Sequence, residues 1–174
     1  MYISEHYIFL ESVKYMYHGS SIKGLKILEP SMRSVRDSKE GPVVFAAPNF
    51  DTALPFILPK GRGFNFGFWK DKSMYLVFSP KTTVNELKKM SGSIYTVSSE
   101  GFNCSRMIGL KELECINKNP VKVLKETKIP NLLTALVKSE IDIYFPDRST
   151  WEEIKRSKDH GYSIIKKLKP YKGL

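Results

Sequence analysis

The sequence predicts an α+β domain of roughly six or seven short strands and three or four short helices. Three observations predict it. The apolar runs are brief and bounded by Gly, Pro, Asn or Ser, as in Val43-Val-Phe-Ala-Ala47, Met74-Tyr-Leu-Val-Phe78 and Ile94-Tyr-Thr-Val97. The helical stretches are equally short and start at capping residues, as at Thr83 with Glu86 three positions on. A chain of 174 residues with a 41% hydrophobic fraction can bury one real core but is tight for two. One domain over 1–174 is therefore expected, with a core over about 15–125 and a helical, basic extension over about 126–174.

Each element has its local reason. Residues 1–14 form a lead-in with Ile8, Phe9 and Val13 available for packing. Tyr15-Met-Tyr17 is the end of a strand, broken at His18-Gly-Ser-Ser21, where glycine permits sharp geometry and serine bonds locally. On an extended backbone His18 and Ser20, two apart, face the same way. Ile22, Leu25, Ile27 and Leu28 return to the interior before Pro30, and residues 31–41 are a charged loop carrying Arg33 and Arg36. After the strand at Val43–Ala47, Asn49 caps a helix over Phe50–Ile57 that Pro55 shortens or kinks. Residues 59–73 hold Phe64, Phe66, Phe68 and Trp69 among glycines and basic groups. Two readings fit: a loop closing over a ligand with bases stacked on its rings, or an aromatic hairpin with Trp69 outward.

Met74–Phe78 is a strand, Thr83–Glu86 opens a helix reaching about Lys89, and Ile94–Val97 is another strand. Glu112-Leu-Glu-Cys-Ile116 alternates polar and apolar positions and is expected to form a hairpin with Val121–Leu124 across the Asn117–Pro120 turn. Asn131 precedes a helical stripe of Leu132, Leu133, Leu136 and Val137. Ile141–Phe145 is extended, and Thr150 with Glu153 has capping-box spacing before a basic helix or arm ending near Leu168.

The net charge is +10, with residues 1–110 and 111–174 contributing equally. Residues 155–172 hold seven basic side chains and one acid, Asp159. This suits a polyanionic partner such as nucleic acid, and it equally suits a solvated lysine-rich surface. No apolar stretch is long enough to cross a bilayer, so no membrane role is expected, and the N-terminus lacks the pattern of a secretory signal. Three scattered histidines and two cysteines make no metal-ligand cluster. A reduced, cytoplasmic setting is expected, with Cys115 packed in its strand.

Three stretches stand out: Tyr17-His-Gly-Ser-Ser21 followed by Leu28-Glu-Pro30, Pro42-Val-Val-Phe-Ala-Ala-Pro-Asn-Phe-Asp-Thr-Ala53, and Glu114-Cys-Ile-Asn-Lys-Asn-Pro-Val121. In order and spacing they resemble the three motifs of the ADP-ribosyltransferase superfamily, that of diphtheria toxin and the poly-ADP-ribose polymerases. The resemblance covers roughly residues 15–125. It implies a split β-sheet core of two packed small sheets with short peripheral helices, and NAD as cosubstrate. His18 would hold the nicotinamide-side ribose with Ser20 assisting, and the backbone of Gly19 would pin the carboxamide. Glu114 would bond a ribose hydroxyl and stabilise the oxocarbenium-like charge as nicotinamide leaves. Glu112 would orient the acceptor. Phe45 and Ala46 would line the cofactor site, with Phe56, Tyr95 or Phe66 supplying a stacking surface. Val44 stands where one branch of the family has a tyrosine.

The implied activity is transfer of ADP-ribose from NAD to a protein or nucleic-acid acceptor, or NAD glycohydrolysis. A compact, toxin-like bacterial or phage member with a neutralising partner protein fits the resemblance. A catalytically inactive NAD-, nucleotide- or RNA-binding module of the same fold is the alternative. The related RNA 2′-phosphotransferase chemistry ranks low, because its paired Arg-His phosphate groups are missing from the sequence.

Overall fold

The computed structural model describes residues 13–32, 41–59, 63–70, 73–104, 114–139 and 141–173. Most of the expected lead-in, Arg33, Arg36 and Glu112 lie outside the described residues. In chain order the elements are β1 (Tyr15–Ser20), β2 (Ile27–Leu28), β3 (Val44–Ala46), α1 (Phe50–Ala53), a 3-10 turn (Leu54–Ile57), β4 (Phe64–Phe68) and β5 (Met74–Phe78). They continue with α2 (Val84–Lys89), β6 (Gly92–Ser98), β7 (Cys115–Asn117), β8 (Val121–Ile129), α3 (Leu132–Lys138), β9 (Asp142–Tyr144), α4 (Arg148–Arg156) and α5 (Tyr162–Ile165). The architecture is α+β, with mostly antiparallel strands and short helices.

The chain forms two compact units, 1–57 with 92–129, and 58–91 with 130–174. The boundary expected at residue 125 falls inside β8, whose strand runs on to Ile129. The first unit holds a four-stranded sheet in the order β1-β6-β8-β2 and a two-stranded sheet, β3-β7. The two are joined where Tyr17 and Ala47 exchange backbone hydrogen bonds of 2.8 Å in each direction. One face of these strands carries Met16, Val44, Ala46, Tyr95, Val97 and Cys115, which form a single apolar cluster. Residues two apart on a strand share a face, so alternation sets which side of each strand enters that cluster.

The second unit is built on β4-β5-β9, with β4 antiparallel and β9 parallel to β5. All five residues of β5 are buried, as a continuous apolar run at the centre of a sheet requires. The region 59–73 is therefore a hairpin arm where it is described, since β4 pairs residue for residue with β5. Trp69 is not turned outward: it packs on Tyr75, Tyr144 and Tyr162. The capping box at Thr83 and Glu86 is present, as is the Asn131 cap of α3.

Three further expectations are corrected. The β7–β8 hairpin does not form, because β7 pairs with β3 and β8 with β6 and β2. Pro120 at the turn has no N–H to give a ladder, and the Asn117 side chain closes the turn by accepting from the Asn119 N–H. Helix α4 begins at Arg148 and not after Thr150, because the Asp147 carboxylate accepts from the Thr150 N–H at 2.8 Å and caps the helix a turn earlier. Cys104 and Cys115, expected as reduced thiols, are joined in a disulfide. No helix among the described residues is long and apolar enough to cross a membrane.

Candidate functional site

Strand β1 and its neighbours carry most of the expected residues. His18 lies opposite Tyr95 on β6, their ring centroids 6.5 Å apart, and Ser20 lies opposite Ser93. The Nδ1 of His18 lies 2.7 Å from the Phe45 carbonyl oxygen. A carbonyl can only accept, so Nδ1 carries the proton and Nε2 is left as an acceptor. Burial pushes His18 below the ordinary histidine range, and the bond to Phe45 opposes this only in part. The imidazole is therefore neutral at pH 7. Ser20 is less available than the sequence suggests, because its Oγ accepts the Ile22 N–H at 3.1 Å.

Gly19 is demanded by packing. A Cβ there would sit 2.1 Å from the Ala53 carbonyl oxygen and 3.3 Å from the Ile57 nitrogen. Helix α1 and the 3-10 turn thus lie directly on the backbone of β1, over the face that Tyr17 shares; Tyr17 meets Phe50 edge-on at 5.7 Å. His18 and Ser20 project from the other face by strand alternation. Phe56 lies in that 3-10 turn and is half-buried.

The third motif arrives through β3. Ala46 pairs with Cys115 and Phe45 with Ile116, so β3 stands between β1 and β7. Glu114 precedes β7 in a bend and is buried, 7% exposed. Continuing the register sets Glu114 beside Ala47, two strand spacings or about 10 Å from Tyr17. Strict alternation would turn it to the face of Tyr17 and Ala47, but its bend places it outside the pleated run. The disulfide from the adjacent Cys115 to Cys104 anchors this corner.

Two expected cofactor residues are structural. Tyr95 is fully buried, its hydroxyl donating to the Ile22 carbonyl at 2.8 Å and accepting from the Leu25 N–H, so it offers no open stacking face. Ala46 is buried in the apolar cluster, while Phe45 contributes its carbonyl to His18. Val44 is also buried there.

One residue escaped sequence reasoning. Glu126, across β6 from His18 in the row His18–Tyr95–Glu126, accepts from Ser93 Oγ at 2.6 Å and from the Gly24 N–H at 3.0 Å. These bonds, led by Ser93, hold its carboxyl below the usual range. Nothing in the run Lys125-Glu-Thr-Lys128 distinguishes it from a solvated strand charge; only the pairing does. No protein-family model matches the chain, and no curated protein or solved structure matches it either.

Proposed function

We propose that the first unit binds NAD and transfers its ADP-ribose to a macromolecular acceptor, releasing nicotinamide. The observation that carries this reading is the order β1-β3-β7: three sequence stretches that resemble one family's motifs lie on neighbouring strands. In this reading neutral His18 offers Nε2 to a ribose hydroxyl, and buried Glu114 supplies the negative charge that an oxocarbenium-like transition state requires. Glu112 would orient the acceptor. NAD glycohydrolysis is the same bond cleavage with water as acceptor. A toxin-like role with a neutralising partner protein accords with it, and residence in the cytoplasm would require the Cys104–Cys115 pair to be reduced there.

A second reading rests on Val44. Val44 brings no ring to its position and Tyr95 offers no open face, as suits an inactive NAD-, nucleotide- or RNA-binding module. Incubation with NAD and measurement of free nicotinamide separates the two. Under the first reading, wild type releases nicotinamide while Glu114→Gln and His18→Ala each lose at least about 100-fold, the scale of removing one transition-state contact. Equal turnover in all three proteins would refute the residue roles, and binding without any turnover would establish the second reading.

A further inference from the structure

The second unit carries a surface that nothing in the transferase reading uses. A shallow depression of about 350 Å³ is lined by Trp69, Lys70, Tyr162 and Lys166. Its aromatic floor is built and held. The Trp69 ring lies 4.5 Å from Tyr75 and 5.4 Å from Tyr162, and its indole N–H donates to Asp142 at 2.8 Å. The indole polar atom is thus spent inward, yet the ring remains only partly covered. Tyr162 and Lys166 are one helical turn apart, so they stand side by side. Lys70 and Lys166 are exposed, and neither pairs with a carboxylate among the described residues.

Two aspartates among the described residues lie close by, each engaged with its own donors. Asp142 accepts from the indole N–H, and Asp159 accepts from the Ser163 and Gly161 amides, the Ser163 bonds chiefly holding its carboxyl down to about 2, so both stay ionised and turned onto these donors. Burial raises the Tyr75 hydroxyl and pushes that of Tyr144 up to about 12, so these two stay protonated. Six further basic residues accompany Lys166 along 155–172 against Asp159, one of them, Lys155, pairing with Glu152.

We infer that this surface binds single-stranded nucleic acid, a base resting on Trp69 and Tyr162 with phosphates at Lys70 and Lys166. The pairing of part-exposed rings with exposed cations matches a nucleotide's own pairing of a π-face with a negative charge. The open shape selects a polymer. A free nucleotide needs a pocket that buries most of its surface, whereas a strand gains from successive contacts along an extended cationic surface. The inference is independent of the chemistry proposed for the first unit and is tested without NAD.

The experiment measures fluorescence anisotropy of a labelled 12-nucleotide poly-U with full-length protein over a salt series. Trp69→Leu should weaken binding about 5- to 150-fold, the range for one stacked base. Because Trp69 also packs inward, the surface variant Lys70→Glu/Lys166→Glu is measured alongside, with circular dichroism on both. It should weaken binding at least tenfold and lower the log–log salt slope by about 1.4, the value for two phosphate contacts on a single strand. Unchanged affinity in the double-lysine variant would overturn the inference. So would uridine monophosphate competing as well as the 12-mer, or poly-glutamate competing equally, since these would identify a nucleotide pocket or a bare charge effect.

Discussion

Replacing Gly19 with alanine tests the packing that organises the first unit. A Cβ at this position would lie 2.1 Å from the Ala53 carbonyl oxygen, where non-bonded carbon atoms do not come closer than 3.0 Å. Helix α1 must therefore retreat by about 1 Å, and it cannot do so by a side-chain rotation, because the opposing atoms are backbone. Alanine in a strand is otherwise favoured over glycine by about 0.5–1 kcal/mol. Overpacking costs of about 1–3 kcal/mol apply when the neighbour can adjust; with rigid neighbours the upper end is expected. The net loss should be about 2–2.5 kcal/mol, against a total of about 5–15 kcal/mol for an ordinary domain. With a urea m-value of about 2 kcal/mol/M, the midpoint falls by roughly 1–1.3 M. Gly24, with φ of +77° and nothing within 4 Å of its Cβ position, is the control: alanine there costs about 1–2 kcal/mol through backbone conformation alone. A Gly19→Ala protein within about 0.5 kcal/mol of wild type would show that α1 does not rest on β1.

Two other outcomes follow from the same unit. The Cys104–Cys115 bond closes a loop with a sequence separation of 11, for which the chain-entropy relation yields about 2.8 kcal/mol; Cys104→Ser/Cys115→Ser should lose about that much, and adding reductant should then have no further effect on denaturation. His18, held neutral by burial, has a folded pKa below its unfolded value of 6.5, so the unfolded chain binds the extra proton first. Stability should be complete above about pH 6.5 and fall as the pH drops towards 5, by at most about 1.4 kcal/mol per unit; His18→Gln should flatten that slope, and an unflattened slope would refute the assignment.

What could be read from the sequence was what neighbours along the chain decide. The β5 run, the Thr83–Glu86 box and the Asn131 cap depend on residues within a few positions of each other, and each formed as expected. Pairing does not depend on such neighbours. The β7–β8 hairpin failed because a turn sets a reversal in direction, while the partner of each strand is set by surfaces elsewhere, here β3 and β6. Asp147 displaced Thr150 as a cap because both offered acceptors and the earlier one lay directly after Pro146. The disulfide and the Glu126 hub were invisible for the same reason: each joins groups whose proximity exists only once β3, β6 and β8 have found their places.

The close approach of α1 to β1 also changes how the His-Gly pair should be weighed. Glycine at position 19 is compulsory for a steric reason that holds whether or not the protein ever meets NAD. It therefore adds nothing to the case for a nicotinamide site, although it is part of the motif that suggested one. His18 is different. Packing alone would accept an apolar side chain beside Met16 and Tyr95, yet the chain keeps an imidazole, satisfies one nitrogen with the Phe45 carbonyl and leaves the other as an acceptor. Glu114 is likewise a polar side chain kept in a buried place, where burying a polar group costs free energy that a leucine would not. The functional weight of the first unit thus rests on these two side chains. A double-mutant cycle of His18→Ala and Glu114→Gln on nicotinamide release measures whether they act on one sugar. Coupling above about 0.5 kcal/mol is expected if they do, and simple additivity would separate them.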